Sequence, residues 1–229
     1  MVRRSSPARS LHPEHGAANK IQVKARTISQ PIGLVENAGC RLAELIAPLL
    51  EQTPLACQPG CAWCCHLYVI FATIPEVLAI AEHLRRTLTE AELADLRQRV
   101  TVTLERKRNQ SRFQPAAPMI PCPLLVDNLC SVYEFRPLVC RAWHSTDVRH
   151  CQQPNGSLAV NQEVMQVFSA IYRSLIATLA EQELESQEVE LISALDIALN
   201  TPDAAQRWLA GETLFAAAAA SPVVTKLAV

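Results

Sequence analysis

Residues 57–66 read Cys57-Gln58-Pro59-Gly60-Cys61-Ala62-Trp63-Cys64-Cys65-His66, and a second thiol-rich stretch opens with Cys122-Pro123-Leu124-Leu125 and runs on through Cys130 and Cys140 to Cys151. These stretches decide the fold because neither carries the helical or strand periodicity that would order it alone. Whatever surrounds them must supply the regular structure. The flanking sequence is helical in character: alanine, leucine and glutamate are common, there are only 6 glycines, and aromatics make up 5% of the chain. Such side chains lose little entropy on entering a helix. The expected fold is mostly α, a small helical domain around an irregular cysteine-rich metal centre with at most a short β-hairpin.

Working outward, Leu34, Ala38, Leu42, Leu45 and Leu49 recur at helical spacing, so a first helix is expected from Gly33 or Asn37 to Leu50, with Pro48 kinking or ending it. Ile70 to Ile74 reads as an apolar connector. Pro75-Glu76 opens a second helix. Thr89 with Glu92 forms a capping box for a third, reaching Arg108. Residues 109–121 read as a loop. Asp127-Asn128, between Leu124-Leu125-Val126 and Cys130-Ser131-Val132-Tyr133, reads as the turn of a very short hairpin, and Pro154-Asn155-Gly156 as a further turn. Later helices are expected over Asn161–Glu181, from an N-cap at Ser186 to Leu199, and from Thr201-Pro202 to Gly211.

Residues 1–35 carry six Lys/Arg against a single acid, Glu14, without apolar periodicity. They read as a disordered basic tail, with a transit-type segment as the alternative. Residues 36–212 form the expected single helical domain, and 213–229 a C-terminal tail. The net charge of -1 offers no address for nucleic acid. No secretory apolar region follows the N-terminus, and the run Leu67–Ile74 is short of the ~20 residues that span a bilayer. A cytoplasmic protein without a membrane partner is expected.

Nine cysteines in a long chain of this kind point to metal ligands in a reducing compartment rather than disulfides, which remain the alternative. Two or three residues between cysteines let one tight loop turn both thiolates onto one ion, and Pro59-Gly60 supplies such a turn. Adjacent Cys64 and Cys65 do not readily converge on one ion; one of them serves a second metal, bridges, or packs in the core. Thiolates suit zinc, iron–sulfur clusters and copper(I), and suit calcium or magnesium poorly. Cys40 stands apart on the first helix and reads as a core residue.

The pattern Cys-x3-Cys-x2-Cys-Cys, then Cys-Pro-Leu-Leu, then Cys-x2-Tyr-Glu-x-Arg-Pro-x2-Cys-Arg resembles the YkgJ-type cysteine-cluster family, to which zinc or iron chelation is ascribed. The resemblance covers residues 57–151. It implies as metal ligands Cys57, Cys61, Cys64, Cys65, Cys122, Cys130, Cys140 and Cys151. The flagellin lysine N-methylases share the pattern and are associated with an iron–sulfur cluster. This chain has no glycine-rich nucleotide loop, which weakens a methyl-transfer reading.

Paired Cys-x2-Cys knuckles mark structural zinc. The clumped spacing here, and the Cys122-Pro123 step, look more like an iron–sulfur run. An iron–sulfur cluster or iron is therefore the favoured cofactor, with zinc the alternative. The functional expectation is a metal-binding cysteine-cluster protein. The alternatives are an iron–sulfur enzyme modifying a protein side chain, and a zinc-stabilised interaction module. His66, His144 and His150 are candidate ligands or hydrogen-bond partners of ligands, or plain surface or core residues. Arg136 and Arg141 either offset thiolate charge or form ordinary ion pairs, Arg136 with Glu76 for instance. Tyr133 and Trp143 read as packing residues.

Overall fold

The helices that start at Glu90, Gln162 and Leu191 begin where the sequence offers a side chain to receive orphan N–H groups. The computed structural model describes residues 31–58, 60–66, 69–108, 119–152 and 160–219. Helix α1 spans Pro31–Glu51, α2 Ile74–Thr87, α3 Glu90–Arg108, α4 Leu138–Ala142, α5 Val148–Cys151, α6 Gln162–Glu181, α7 Leu191–Asn200 and α8 Ala204–Leu209. Strands β1 (Phe71–Thr73), β2 (Leu125–Val126), β3 (Leu129–Cys130) and β4 (Glu188–Glu190) make two small antiparallel ladders. The mostly α fold is thus the one the composition implies.

At α3 the Thr89 amide and hydroxyl donate to Glu92 at 2.8 and 2.7 Å, and the Glu92 amide donates back to Thr89 Oγ1 at 3.3 Å. At α6 Asn161 Oδ1 accepts from the amides of Glu163 and Val164. The C-terminus of α7 is closed by two cations: Arg85 donates to the carbonyls of Ala198 and Thr201, and Arg97 to that of Leu199. Both guanidinium groups sit at the negative end of the helix dipole.

The core forms where α1 packs on α6 and α2 packs on α7, with α3 against the outer side of α7. Leu34, Ala38, Leu42 and Ile46 of α1 are buried at i, i+4 spacing and meet a matching face of α6 that includes Val164, Leu175 and Leu179. Full burial of each such leucine contributes about 1.5–3 kcal/mol. No helix among the described residues is long and apolar enough to cross a membrane.

Several sequence expectations need correction. The supposed connector at 70–74 contains β1, and the supposed N-terminal turns of a helix from Ser186 are β4. The two strands pair, Phe71 opposite Glu190 and Thr73 opposite Glu188, and α7 starts only at Leu191. Glu188-Val189-Glu190 alternates polar and apolar with period two, and Val189 is fully buried. Glu190 then caps α7, its Oε2 accepting from the amide and hydroxyl of Ser193. Pro48 does not end α1, which continues to Glu51. Cys40 is exposed, because the buried stripe of α1 runs through residues 34, 38, 42 and 46 and leaves residue 40 on the other face. Helix α1 begins inside the expected basic tail, at Pro31. Phe215 and Ala218 are buried and Ala219 bridges to Val189, so the expected C-terminal tail contributes to the core up to that point. The loop expected from residue 109 lies outside the described residues as far as 118, as does the turn at 154–156.

One buried charge ties the helical frame to the cysteine region. Glu76 is 1% exposed. Its Oε2 accepts from the amide and hydroxyl of Thr73 at 2.7 and 2.8 Å, and its Oε1 accepts from the amide of Leu138 at 2.6 Å. A single carboxylate therefore serves the N-terminal ends of both α2 and α4. A carboxamide has one acceptor oxygen and would turn its N–H group toward a backbone donor. Glu76→Gln should cost about 1–3 kcal/mol, the penalty of a buried donor left unmet, measured by guanidinium unfolding. Unchanged stability would show that the carboxylate does not hold both ends.

Candidate metal centre

The cysteines sit on short turns that are stitched to each other by backbone hydrogen bonds. Gly60 has φ +82°, a conformation open to glycine at little cost, and the Cys61 amide donates to the Gln58 carbonyl at 2.9 Å. Residues Trp63–His66 form one 3-10 turn that carries Cys64 and Cys65. The Cys122 amide donates to the Cys65 carbonyl at 2.7 Å, a direct tie between the two thiol groups of the sequence.

Cys122 and Cys130 flank the β2–β3 hairpin. Asp127 and Asn128 both take positive φ, 50° and 62°, as a two-residue type I′ turn requires. Cys130 stands opposite Leu125, whose amide donates to the Cys122 carbonyl. Cys140 lies on α4, whose start is fixed by Glu76. The far end of the second group returns to the first through the 145–147 turn. Ser145 donates its amide to Cys57 Sγ at 3.3 Å and accepts from the Ala56 amide at 2.8 Å. Cys151, buried on α5, directs its sulfur at the Asp147 carbonyl at 3.9 Å.

Burial is the largest influence on the thiols of Cys57, Cys122, Cys130 and Cys140. It raises Cys57, an effect opposed by the Ser145 amide and strengthened by Cys61, Cys64 and Cys151. Cys64 is raised far above the ordinary range, first by its hydrogen bond with Cys65, then by burial, with Arg136 opposing. Cys122 is pushed up to about 11 by burial, against the Leu124 amide and Lys107, with Cys130 and Glu190 adding to the rise. Burial also raises Cys130, opposed by the Val132 amide and Arg136. Cys140 is raised well above the usual value by burial, then by Cys122, Cys64, Cys130 and Glu76.

Among the described residues, no three His, Cys, Asp or Glu side chains are gathered as an ion-holding group. The donor set nevertheless fits a soft cation. Backbone N–H groups of Ser145, Leu124 and Val132 aim at the sulfurs of Cys57, Cys122 and Cys130, and such bonds favour the thiolate over the thiol. Metal binding would release the thiol protons.

Arg136 does not pair with Glu76. Its guanidinium lies 4.0 Å from the centre of the Tyr133 ring, and its buried Nε has no hydrogen-bond partner. Its charge instead favours the thiolates of Cys64 and Cys130. Arg141 braces this arrangement by donating to the carbonyls of Arg136 and Glu134. His66 and His144 engage the carbonyls of Ala62 and Ala142 through Nδ1, at 2.9 and 3.3 Å. With Nδ1 as donor, Nε2 is left as the lone-pair nitrogen. His150 lies 4.0 Å from Asp147.

Sequence reasoning missed the amide donors, which no residue type announces. It also missed the double role of Glu76, although Thr73 three residues before it is the capping-box spacing. A third omission is the half-buried Lys107–Glu190 pair, 2.8 Å apart, whose charges reach Cys122 from α3 and the end of β4.

Residues 56–158 match the family model described as "CxxCxxCC: Putative zinc- or iron-chelating domain". The match contains both thiol groups, and the first gap in this chain is one residue longer than in the family's printed pattern. No curated protein and no solved structure matches the chain. Replacing Arg136 with Gln should raise the Cys64 and Cys130 thiols further and so weaken metal binding at neutral pH. The expected loss in affinity is on the order of 10-fold, narrowing at higher pH where the thiolates form without help. Competition against a chromophoric chelator across pH measures it, and a pH-independent affinity equal to the parent's would remove Arg136 from the centre.

Proposed function

We propose that residues 56–158, which carry the signature of a chelating family, hold an iron–sulfur cluster or iron through Cys57, Cys61, Cys64, Cys65, Cys122, Cys130, Cys140 and Cys151, and that the protein has a structural or iron-handling role in a reducing compartment. The carrying observation is the convergence of two segments that the sequence keeps far apart. The Cys122 amide bonds to the Cys65 carbonyl, and the Ser145 amide bonds to Cys57 Sγ. Eight thiols in two stitched segments, three of them receiving backbone N–H groups, are poorly explained as packing, because packed cysteines need no hydrogen-bond donors. The clumped spacing of residues 57–65 and the Cys122-Pro123 step support iron–sulfur over zinc.

An enzymatic reading has one observation in its favour. A cleft of about 480 Å³ is lined by Val69, Leu104, Lys107, Arg108, Glu190 and Ser193 among others. Its Lys107–Glu190 pair interacts electrostatically with Cys122. A substrate side chain in that cleft would lie beside the cysteine region, as an iron–sulfur enzyme acting on a protein would need.

Ordering irregular backbone costs roughly 1–2 kcal/mol per residue, and a structural metal returns on the order of 10 kcal/mol. Cys61→Ser and Cys140→Ser should therefore lower metal content and open residues 55–66 and 120–151 to protease, while Cys40→Ser, on the exposed face of α1, should do neither. Limited proteolysis with metal analysis reads all three, and full metal content with full protection in both cluster variants would refute the ligand assignment. Protein prepared anaerobically should be brown and contain acid-labile sulfide. A colourless protein with stoichiometric zinc and no sulfide after reconstitution would replace iron–sulfur by zinc.

A further inference from the structure

Helices α3 and α7 run antiparallel. Lys107, near the end of α3, pairs with Glu190 at the start of α7, and Arg97, nearer the start of α3, donates to the Leu199 carbonyl at the end of α7. The cleft of about 480 Å³ is lined by one face of each helix and by Ala217 and Ala218. Leu104, Lys107 and Arg108 supply the α3 side, and Ser193, Asp196 and Ile197 the α7 side, each set at i, i+3, i+4 spacing. Sites for small molecules run to roughly 300–1,000 Å³, and this one is within that range.

The charges of the cleft divide into a matched pair and an unmatched one. Lys107 meets Glu190 Oε1 at 2.8 Å, and Glu190 Oε2 accepts from the amide and hydroxyl of Ser193. The Glu190 carboxylate is therefore fully engaged. Among the described residues, Arg108 makes no ion pair, and the Asp196 carboxylate accepts only from the side-chain amide of Asn200, at 3.0 Å. In the register that the Lys107–Glu190 and Arg97–Leu199 contacts fix, these two opposite charges stand on the order of 10 Å apart along the helices at the α-helical rise. The other lining residues, Val69, Leu104, Ile197 and the two alanines, are apolar.

A ligand that completes this cleft carries an anionic end and a cationic end with an apolar body between them. A single α-amino acid is too short, since its two charged groups share one carbon. An extended chain of three residues spans about 10 Å. We infer that the cleft binds a short apolar peptide of about three residues with both termini free, its ammonium group on Asp196 and its carboxylate on Arg108. Arg108 can take a carboxylate with two parallel hydrogen bonds. The Ser193 hydroxyl gives its proton to Glu190 and keeps lone pairs for a peptide N–H. This goes beyond the metal reading and does not depend on it. It gives the cleft of the enzymatic reading an occupant whether or not chemistry follows.

The test is calorimetric titration of the full chain with a peptide of three valines, and with the same peptide acetylated at its N-terminus or amidated at its C-terminus. The expected result is one free peptide bound per chain, with each blocked form bound ~10-fold more weakly, the worth of one charge-assisted hydrogen bond. In Asp196→Asn the acetylated peptide should bind as well as the free one, and in Arg108→Gln the amidated peptide should do so. Absence of saturable binding overturns the site, and equal binding of the free and both blocked peptides to the unaltered chain overturns the assignment of its ends. A variant with unchanged circular dichroism that still discriminates against its blocked peptide overturns the placing of that end. If a variant loses its fold, the blocked peptides on the unaltered chain decide. Metal content is measured on each sample, so failure of peptide binding with metal retained is distinct from failure of the metal reading.

Discussion

A carboxylate almost wholly removed from water holds the start of two helices at once. Burying a charge is costly, and it is tolerated only where hydrogen bonds replace the lost hydration. Glu76 receives three, from the amide and hydroxyl of Thr73 and the amide of Leu138. Burial still raises its pKa, with Arg141 among the influences that oppose the rise. The consequence is architectural. α2 belongs to the helical core, α4 carries Cys140, and the shared carboxylate fixes one against the other. The same charge is felt by Cys140 and by the buried Tyr172 hydroxyl, so the frame and the thiol region are electrically as well as sterically joined.

The cysteine region inherits its order from that frame at one end and from backbone stitches elsewhere. None of its elements is long: a 3-10 turn of four residues, a hairpin of two-residue strands, and helices of five and four residues. Such pieces are marginal alone, because nucleating a turn costs more than its first hydrogen bond returns. A cation bound by several thiolates would exchange many weak local contacts for a few strong ones. The raised thiols would set the opposing demand, since burial helps Cys57, Cys122, Cys130 and Cys140 keep their protons. Arg136, Lys107 and the backbone amides lower that demand at Cys64, Cys122, Cys130 and Cys57.

The long elements were legible because one dominant pattern wrote each of them. The stripe Leu34, Ala38, Leu42 and the box Thr89–Glu92 announce α1 and α3, and Asn161 marks the start of α6. The Asp127-Asn128 turn was legible for the same reason, as few residues other than Asp, Asn and Gly accept two successive positive φ angles. The β1–β4 ladder was not. Three-residue strands give too short an alternation to outvote the helical residues after them, and their partners lie far apart in sequence. Cys40 was misread because a cysteine counts as a small apolar residue in any pattern, and only its phase against the buried stripe places it on the exposed face.

Composition and spacing alone therefore determined a helical protein with a thiol-rich middle, whose donors suit soft metals, since residue type and local periodicity are local properties. Only tertiary structure decided what those thiols meet. It brought Cys122 onto Cys65 and Cys57 onto Ser145, and set Arg136 over Tyr133 rather than against Glu76. It also placed Lys107 and Glu190 within reach of Cys122. These are contacts between residues far apart in sequence or between side chains with several possible partners. They depend on how buried helices pack and on which buried polar groups must be satisfied, and no local spacing encodes either.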